Sequence, residues 1–236
     1  MIGFDVEMFV VDTSGLVVPA WEIIHPHDKD NPLNEGGFAL HYDNVMLEVA
    51  GPPANSSDEF AFTITQGVAL AEQFVKSYNP ELEIELKAAA NVSHIRDKRL
   101  GEIGCRPFFT IASPTSPVKL EACHLGHDRT AGGHLHIDLP EMPVEDKVGF
   151  IAELDRKWNT EIAPIVNTEE DVIREESYGV IGAFRYKKYG VEYRSPSNSW
   201  VNHPELYIKI WDLITATVND YERERSNDKN KERVHP

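Results

Sequence analysis

Polar side chains recur in this chain at a spacing of two. Asp5 and Glu7 lie in IGFDVEMFVV, His134 and His136 in GGHLHID, and Glu192 and Arg194 in GVEYRSPSNSW. Glu48 follows Met46 at the same interval in NVMLEVAG. Side chains two apart on a strand share a face, so each segment presents its polar groups on one side. Charges on a sheet face in an apolar neighbourhood are costly unless exposed, paired or bound to an ion. On the first strand the opposite face is wholly apolar: Ile2, Phe4, Val6, Met8 and Val10. A solvated outer face explains any one of these strands taken alone. Four of them argue for polar faces lining a common cavity.

The donor set is rich in carboxylates: Asp5, Glu7, Glu48 and Glu192, with one or two imidazoles. Hard oxygen donors select magnesium or manganese over zinc. Several carboxylates around one ion leave surplus negative charge, which two or three divalent ions, or ions with arginines, balance better. Arg185 and Arg194 fall on strands near these acids, and the planar guanidinium fork suits phosphate oxygens. Together these residues describe a phosphoryl-transfer site. The chain has no G-x-x-x-x-G-K-[ST] loop, so such a site would work without one. Cys105, in GCRP, reads as a small buried thiol rather than a nucleophile, and His25 and His27 read as loop residues.

The elements that must position these groups follow from periodicity. Residues 2–11 alternate as a strand, with LVVPAW (16–21) returning as a hairpin partner. Phe38 to Ala50 reads as a second hairpin turning near Asp43 and Asn44. Ser56 and Glu59 form a capping-box pattern before a helix with Phe60, Ile64, Val68, Ala71 and Val75 on one face. Leu82 to Ala88 reads as a half-exposed strand, 104–123 as a long irregular connection, and 132–138 as the GGHLHID strand. A helix follows from Pro143 to Trp158, with Val144, Val148, Ile151, Leu154 and Trp158 on its core face. Two strands lie within Tyr178 to Ser195. Pro204 opens a last helix with Leu206, Ile210, Leu213, Thr217 and Tyr221 on its face. The expectation is one α+β domain over residues 1–222: a curved, mainly antiparallel sheet lining the site, with helices packed on its outer face. Residues 223–236 are charged and read as a frayed tail.

Composition bounds the partners. The 236 residues are 41% hydrophobic and 26% charged, an ordinary globular balance, with a net charge of −16. Such an acidic chain has no basic surplus for a nucleic-acid backbone. Two cysteines make no disulfide framework, and no stretch reaches bilayer-spanning length. A cytoplasmic setting is expected, the host bacterial cytoplasm if the chain is phage-encoded.

These residues resemble a known superfamily. GVEYRSPSNSW is similar to the segment of glutamine synthetases in which a metal-binding glutamate and a phosphate-facing arginine stand two apart. GGHLHID resembles their Gly-x-His-x-His strand, GFDVEMF their opening acid-x-acid strand, and DNVMLEVAGPP a further metal-glutamate strand. Glutamate–cysteine ligases share this plan. RTAGGHLHID together with ESYGVIGAFRYKKYGVEYRSPSNSW resembles most closely the bacteriophage carboxylate–amine ligases, or amidoligases. The likeness runs from about residue 2 to residue 212.

The resemblance implies a glutamine synthetase catalytic-domain-like fold. It implies Asp5, Glu7, Glu48, His134 and Glu192 as ligands of two or more magnesium ions, for which manganese could substitute. It implies Arg129, His136, Arg185, Arg194 and Asn198 as nucleotide-facing residues, with Arg185, Glu192 and Arg194 at the reacting groups. The implied reaction joins a small-molecule or peptide carboxylate to an amine: ATP gives an acyl phosphate, and the amine displaces phosphate. A homo-oligomer is compatible with the larger relatives. The chain departs from them in carrying Asp5 where they have glutamate. It also has one clear glutamate in the 41–51 hairpin, leaving a role for Asp43 open, and none of their amino-acid-binding loops. Alternatives are a guanidino-type kinase on the same fold, a non-catalytic phage protein retaining the scaffold, and a zinc hydrolase built on His134 and His136.

Overall fold

A computed structural model of the chain describes residues 1–101, 107–119, 126–177 and 180–234, with side chains described except at 177, 224 and 226–234. Its centre is β1 (Ile2–Val11), whose alternating sequence makes a strand buried along almost its whole length. On one side β1 pairs with β5 (Met46–Ala50), which pairs with β4 (Phe38–Asp43) and then β3 (Leu33–Glu35). On the other side it pairs with β11 (Gly133–Asp138), then β13 (Gly190–Tyr193), then β12 (Ala183–Lys187). The sheet ends in β8 (Phe108–Thr110) and β9 (Ser113–Val118). The far half of β1 also pairs with β2 (Val17–Val18) and β6 (Glu83–Glu85), giving an 11-stranded sheet in which every pairing is antiparallel. A separate two-stranded sheet joins β7 (Ala89–Asn91) to β10 (Asp128–Thr130).

The helices cover one face. The apolar side of β1 enters the main core, where Phe4, Val6 and Met8 meet Phe60, Ile64, Ile151, Leu154 and Ile210. These come from α2 (Ser57–Tyr78), α3 (Val144–Glu161) and α6 (Tyr207–Val234). Ser56 caps α2 by accepting the amide of Glu59 at 3.2 Å, while the Glu59 carboxylate accepts the Asn55 amide. The opposite side of β1 carries Asp5 and Glu7, then Phe9 and Val11. The last two join a smaller core with Trp21, Val45, Met46, Val92 and Ala131. One strand face is thus polar in its first half and apolar in its second, which confines the polar groups to a patch. The mixed architecture, a large antiparallel sheet with helices, agrees with the α+β expectation.

Several local readings change. After β2, Pro19 leads into a short helix, α1 (Ala20–Ile23), instead of a longer hairpin arm. The expected irregular connection contains the β8–β9 hairpin. Its prolines, Pro114 and Pro117, are tolerated because β9 is the sheet edge, where the missing N–H groups break no ladder. Val144 is exposed at the start of α3, and Phe150 takes a core position instead. Two short helices unforeseen in the sequence, α4 (Ala163–Val166) and α5 (Glu169–Ser177), follow α3. The backbone is helical to Val234, through most of the charged segment expected as a tail. Glu, Arg and Lys are good helix formers, the Arg223–Asp220 pair adds a one-turn contact, and Arg225 reaches the Glu141 carbonyl at 3.2 Å. Cys105, Cys123 and the expected strand start at Tyr178 lie outside the described residues. No helix among the described residues is long and apolar enough to cross a membrane.

Candidate active site

Strand register brings the polar pairs together. Asp5 stands opposite His134, and Glu7 opposite Glu48. Glu48 in turn stands opposite His41, and Glu192 lies between His136 and Arg185. Directly opposed residues share a sheet face, so six neighbouring strands contribute to one polar patch. Two groups of donors result. Asp5, His134 and Glu192 place ligand atoms within 4.8 Å of one another, and so do Glu7, Asp43 and Glu48. Because Asp5 and Glu7 are two apart on β1, the two groups are adjacent.

In the first group Asp5 is flanked by two imidazoles. His134 Nδ1 lies 2.7 Å from Asp5 Oδ1, and His136 Nε2 lies 2.9 Å from Oδ2. His136 also meets the Tyr189 hydroxyl through Nδ1. Burial would raise the Asp5 carboxyl, but the two histidines hold it well below the carboxylate range. Burial, reinforced by the Arg194 charge, pushes His134 down to about 4. At neutral pH His134 is therefore an uncharged imidazole against an ionised Asp5. Three cations surround Glu192: Arg185 Nη1 at 2.9 Å, Lys187 Nζ at 2.5 Å, and Arg194 Nη1.

In the second group the acids face one another. Burial, and then the charges of Asp43 and Glu48, push Glu7 up to about 8, although its Oε2 accepts the Gly132 amide at 2.6 Å. Burial and Glu48 likewise raise Asp43. Burial works to raise Glu48 as well, but His41 Nε2 at 3.2 Å and Lys29 Nζ at 3.6 Å leave it below its ordinary value.

The segment before β11 explains its paired glycines. A Cβ on Gly132 would lie 2.1 Å from His134 Nε2, and one on Gly133 would lie 2.4 Å from Trp200 Nε1. Trp200 donates that N–H to the Gly133 carbonyl at 3.0 Å. Behind β13, the fully buried Arg174 of α5 donates to the carbonyls of Ser195 (2.5 Å) and Arg194 (3.0 Å). Asp155 accepts the Tyr193 hydroxyl at 2.7 Å. These bonds fix the backbone on which Glu192 and Arg194 sit.

Asp5, Glu7, Glu48, His134, His136, Arg185, Glu192 and Arg194 thus share the patch. Arg129 and Asn198, which the resemblance implies as nucleotide-facing, make other contacts in this structure. The Arg129 guanidinium donates to the carbonyls of Gly126, Asp128 and Leu100 and ties loops together. Asn198 is fully buried and donates to the Glu7 carbonyl at 2.7 Å, bracing β1. The sequence reading left Asp43 open, and it joins the second group. It missed His41, Lys187 and Lys29. His41 was reachable by counting: a two-residue turn pairing Asp43 with Met46 sets His41 opposite Glu48. Lys187 lies two residues beyond Arg185 on the same strand face. Lys29 sits in a loop and gave no periodic signal.

Beside Asp5 and His136 a cavity of about 350 Å³ opens, with Gly3, Phe4, Gly51, Pro53 and Tyr189 in its walls. The patch thus combines clustered carboxylates and imidazoles with two arginines and a lysine at its edge. The family model described as phage phiEco32-like COOH.NH2 ligase-type 2 matches residues 117–235. The chain belongs to this family of carboxylate–amine ligases. The matched stretch carries His134, His136, Arg185, Glu192 and Arg194, and the strands before it complete the patch. No curated protein matches the chain.

Proposed function

We propose that the chain is an ATP- and magnesium-dependent carboxylate–amine ligase working through an acyl phosphate, on a glutamine synthetase catalytic-domain-like sheet. One observation carries this reading: two adjacent donor groups on a single sheet face, with three cations at the edge of one of them. Their chemistry fits divalent magnesium. Five carboxylates and one neutral imidazole make a mainly hard-oxygen donor set. Each ionised carboxylate has two oxygens with about four acceptor sites, so Glu48 and Glu192 keep acceptor capacity for an ion beyond their present ion pairs. Asp5, His134 and Glu192 would hold one ion and Glu7, Asp43 and Glu48 a second. Bound magnesium would supply positive charge against the phosphate oxygens.

Arg185, Lys187 and Arg194 gather at Glu192, and such a cluster of cations suits the oxygens of a transferring phosphoryl group. In the first step a substrate carboxylate oxygen attacks the γ-phosphorus of ATP, the bond to the bridging oxygen breaks, and ADP leaves. In the second an amine nitrogen attacks the acyl carbon, phosphate departs, and the nitrogen loses a proton. The cavity beside Asp5 and His136 offers apolar walls next to the donor groups for the remainder of a bound nucleotide. Carboxylate and amine are small molecules or peptides in this reading, and the setting is cytoplasmic.

The test is ADP release in the presence of ATP, magnesium and a panel of carboxylates with amines, with products identified by mass spectrometry. Amine-dependent ADP release with an amide product is expected, abolished in Glu192→Gln while the fold persists by circular dichroism. A stable phosphorylated guanidine with no amide would replace this reading with a kinase.

A further inference from the structure

Lys29 belongs to no element of the sheet, yet its ammonium reaches the second donor group. Its loop is held from both ends. Asp28 accepts the amides of Asp30 and Asn31 at 3.0 Å, and the His27 carbonyl accepts the Tyr42 amide at 3.1 Å. That last bond fastens the loop to β4, between the residues that carry His41 and Asp43. From there Lys29 Nζ stands 3.7 Å from Asp43 Oδ2 and 3.6 Å from Glu48 Oε2. These are ion-pair distances, beyond the usual range for hydrogen bonds. The Lys29 side chain is 38% exposed, whereas those of Asp43 and Glu48 are 11% and 5% exposed. A buried pair of acids therefore meets a cation that has a path to solvent on a flexible stem.

This arrangement differs from that around Glu192, where the cations approach at bonding distance. Lys29 is attracted by charge without being locked in place, and it sits beside carboxylates whose ligand atoms already cluster within 4.8 Å. We infer that Lys29 is a tethered counter-cation of the Glu7–Asp43–Glu48 group, and that a divalent ion entering this group must displace it. The inference rests on the proposed reading of the group as an ion site. Lys29 would thereby act mainly on the second ion, since its ion pairs are with Asp43 and Glu48 while Asp5 feels only its longer-range charge. A unit charge a few ångströms from a divalent ion, near the surface and partly screened, is worth about tenfold in affinity.

Titration of the metal-free protein with Mn2+, following free ion by electron paramagnetic resonance, tests this without relying on turnover. Glu48→Gln identifies the class of sites belonging to the second group by abolishing it. Lys29→Met is expected to tighten that class about tenfold and change the other far less. Lys29→Arg, which keeps the charge, should stay within about twofold of the parent. Equal affinities in the parent and Lys29→Met, with the Glu48-dependent class present, would overturn the role of Lys29 alone. Absence of any class that responds to Glu48→Gln would overturn the ion-site reading, and the inference with it.

Discussion

Glu7 offers a direct measure of the strain in the second donor group. Its carboxyl is displaced from an ordinary 4.5 to about 8 by burial and by Asp43 and Glu48. Between those values the folded chain keeps a proton that the unfolded chain has released, so stability falls as pH rises through this window. Below it both states are protonated and the penalty vanishes; above it both are ionised and the penalty is complete. Each pH unit in the window is worth about 1.4 kcal/mol, which sets an upper bound of about 5 kcal/mol on the cost. Glu7→Gln imitates the protonated acid, since the amide oxygen can still accept the Gly132 N–H now bonded at 2.6 Å. In metal-free buffer the two proteins should melt together near pH 5. Near pH 8 the variant should melt higher, by on the order of 10 °C. Millimolar magnesium should narrow this gap by raising the parent more than the variant: both keep the Asp5 group, but only the parent has the Glu7 carboxyl for an ion at the second group. Comparing the two proteins cancels the titration of His41 and His136. Melting temperatures that keep the same separation from pH 5 to pH 8 would refute the argument.

Two further substitutions test how the site is supported. Gly132→Ala places a methyl group on the His134 ring, 2.1 Å from Nε2, and should lower Mn2+ affinity at the Asp5 group at least about tenfold by turning the imidazole away. An unchanged Mn2+ titration would show that the ring has room to move. Arg174→Met leaves the buried carbonyls of Arg194 and Ser195 without their donor. Urea denaturation should show a loss of about 2–4 kcal/mol, and a loss under about 0.5 kcal/mol would remove Arg174 from the support of β13.

Local pattern and tertiary placement divide cleanly along this chain. Alternation in residues 2–11, 46–50, 133–138 and 190–193 was legible because side-chain direction on a strand has a fixed period of two. The polar face of each strand could therefore be read before any partner was known, and donor types alone pointed to hard cations and phosphate. The turn at Asn44, with φ 52°, was legible from its residue type. No apolar period marks α5 because its buried face is polar, Asp171 and Arg174, while Val172 and Ile173 are exposed. Nor is the end of the last helix marked, because solvated helices of Glu, Arg and Lys need no apolar stripe.

Which face meets which was decided only by folding. Asp5 and His134 are 129 positions apart, and antiparallel register between strands so distant is set by core packing, not by any local signal. The same holds for residues outside regular elements: Lys29 reaches Asp43 and Glu48 through a loop. Arg129 and Asn198 turn to backbone carbonyls because burial obliges their donors to be satisfied nearby. Sequence determined that four strands each carry ionisable side chains on one face. The tertiary structure sorted their side chains into two adjacent donor groups, because cross-strand neighbours, not chain neighbours, share a sheet face.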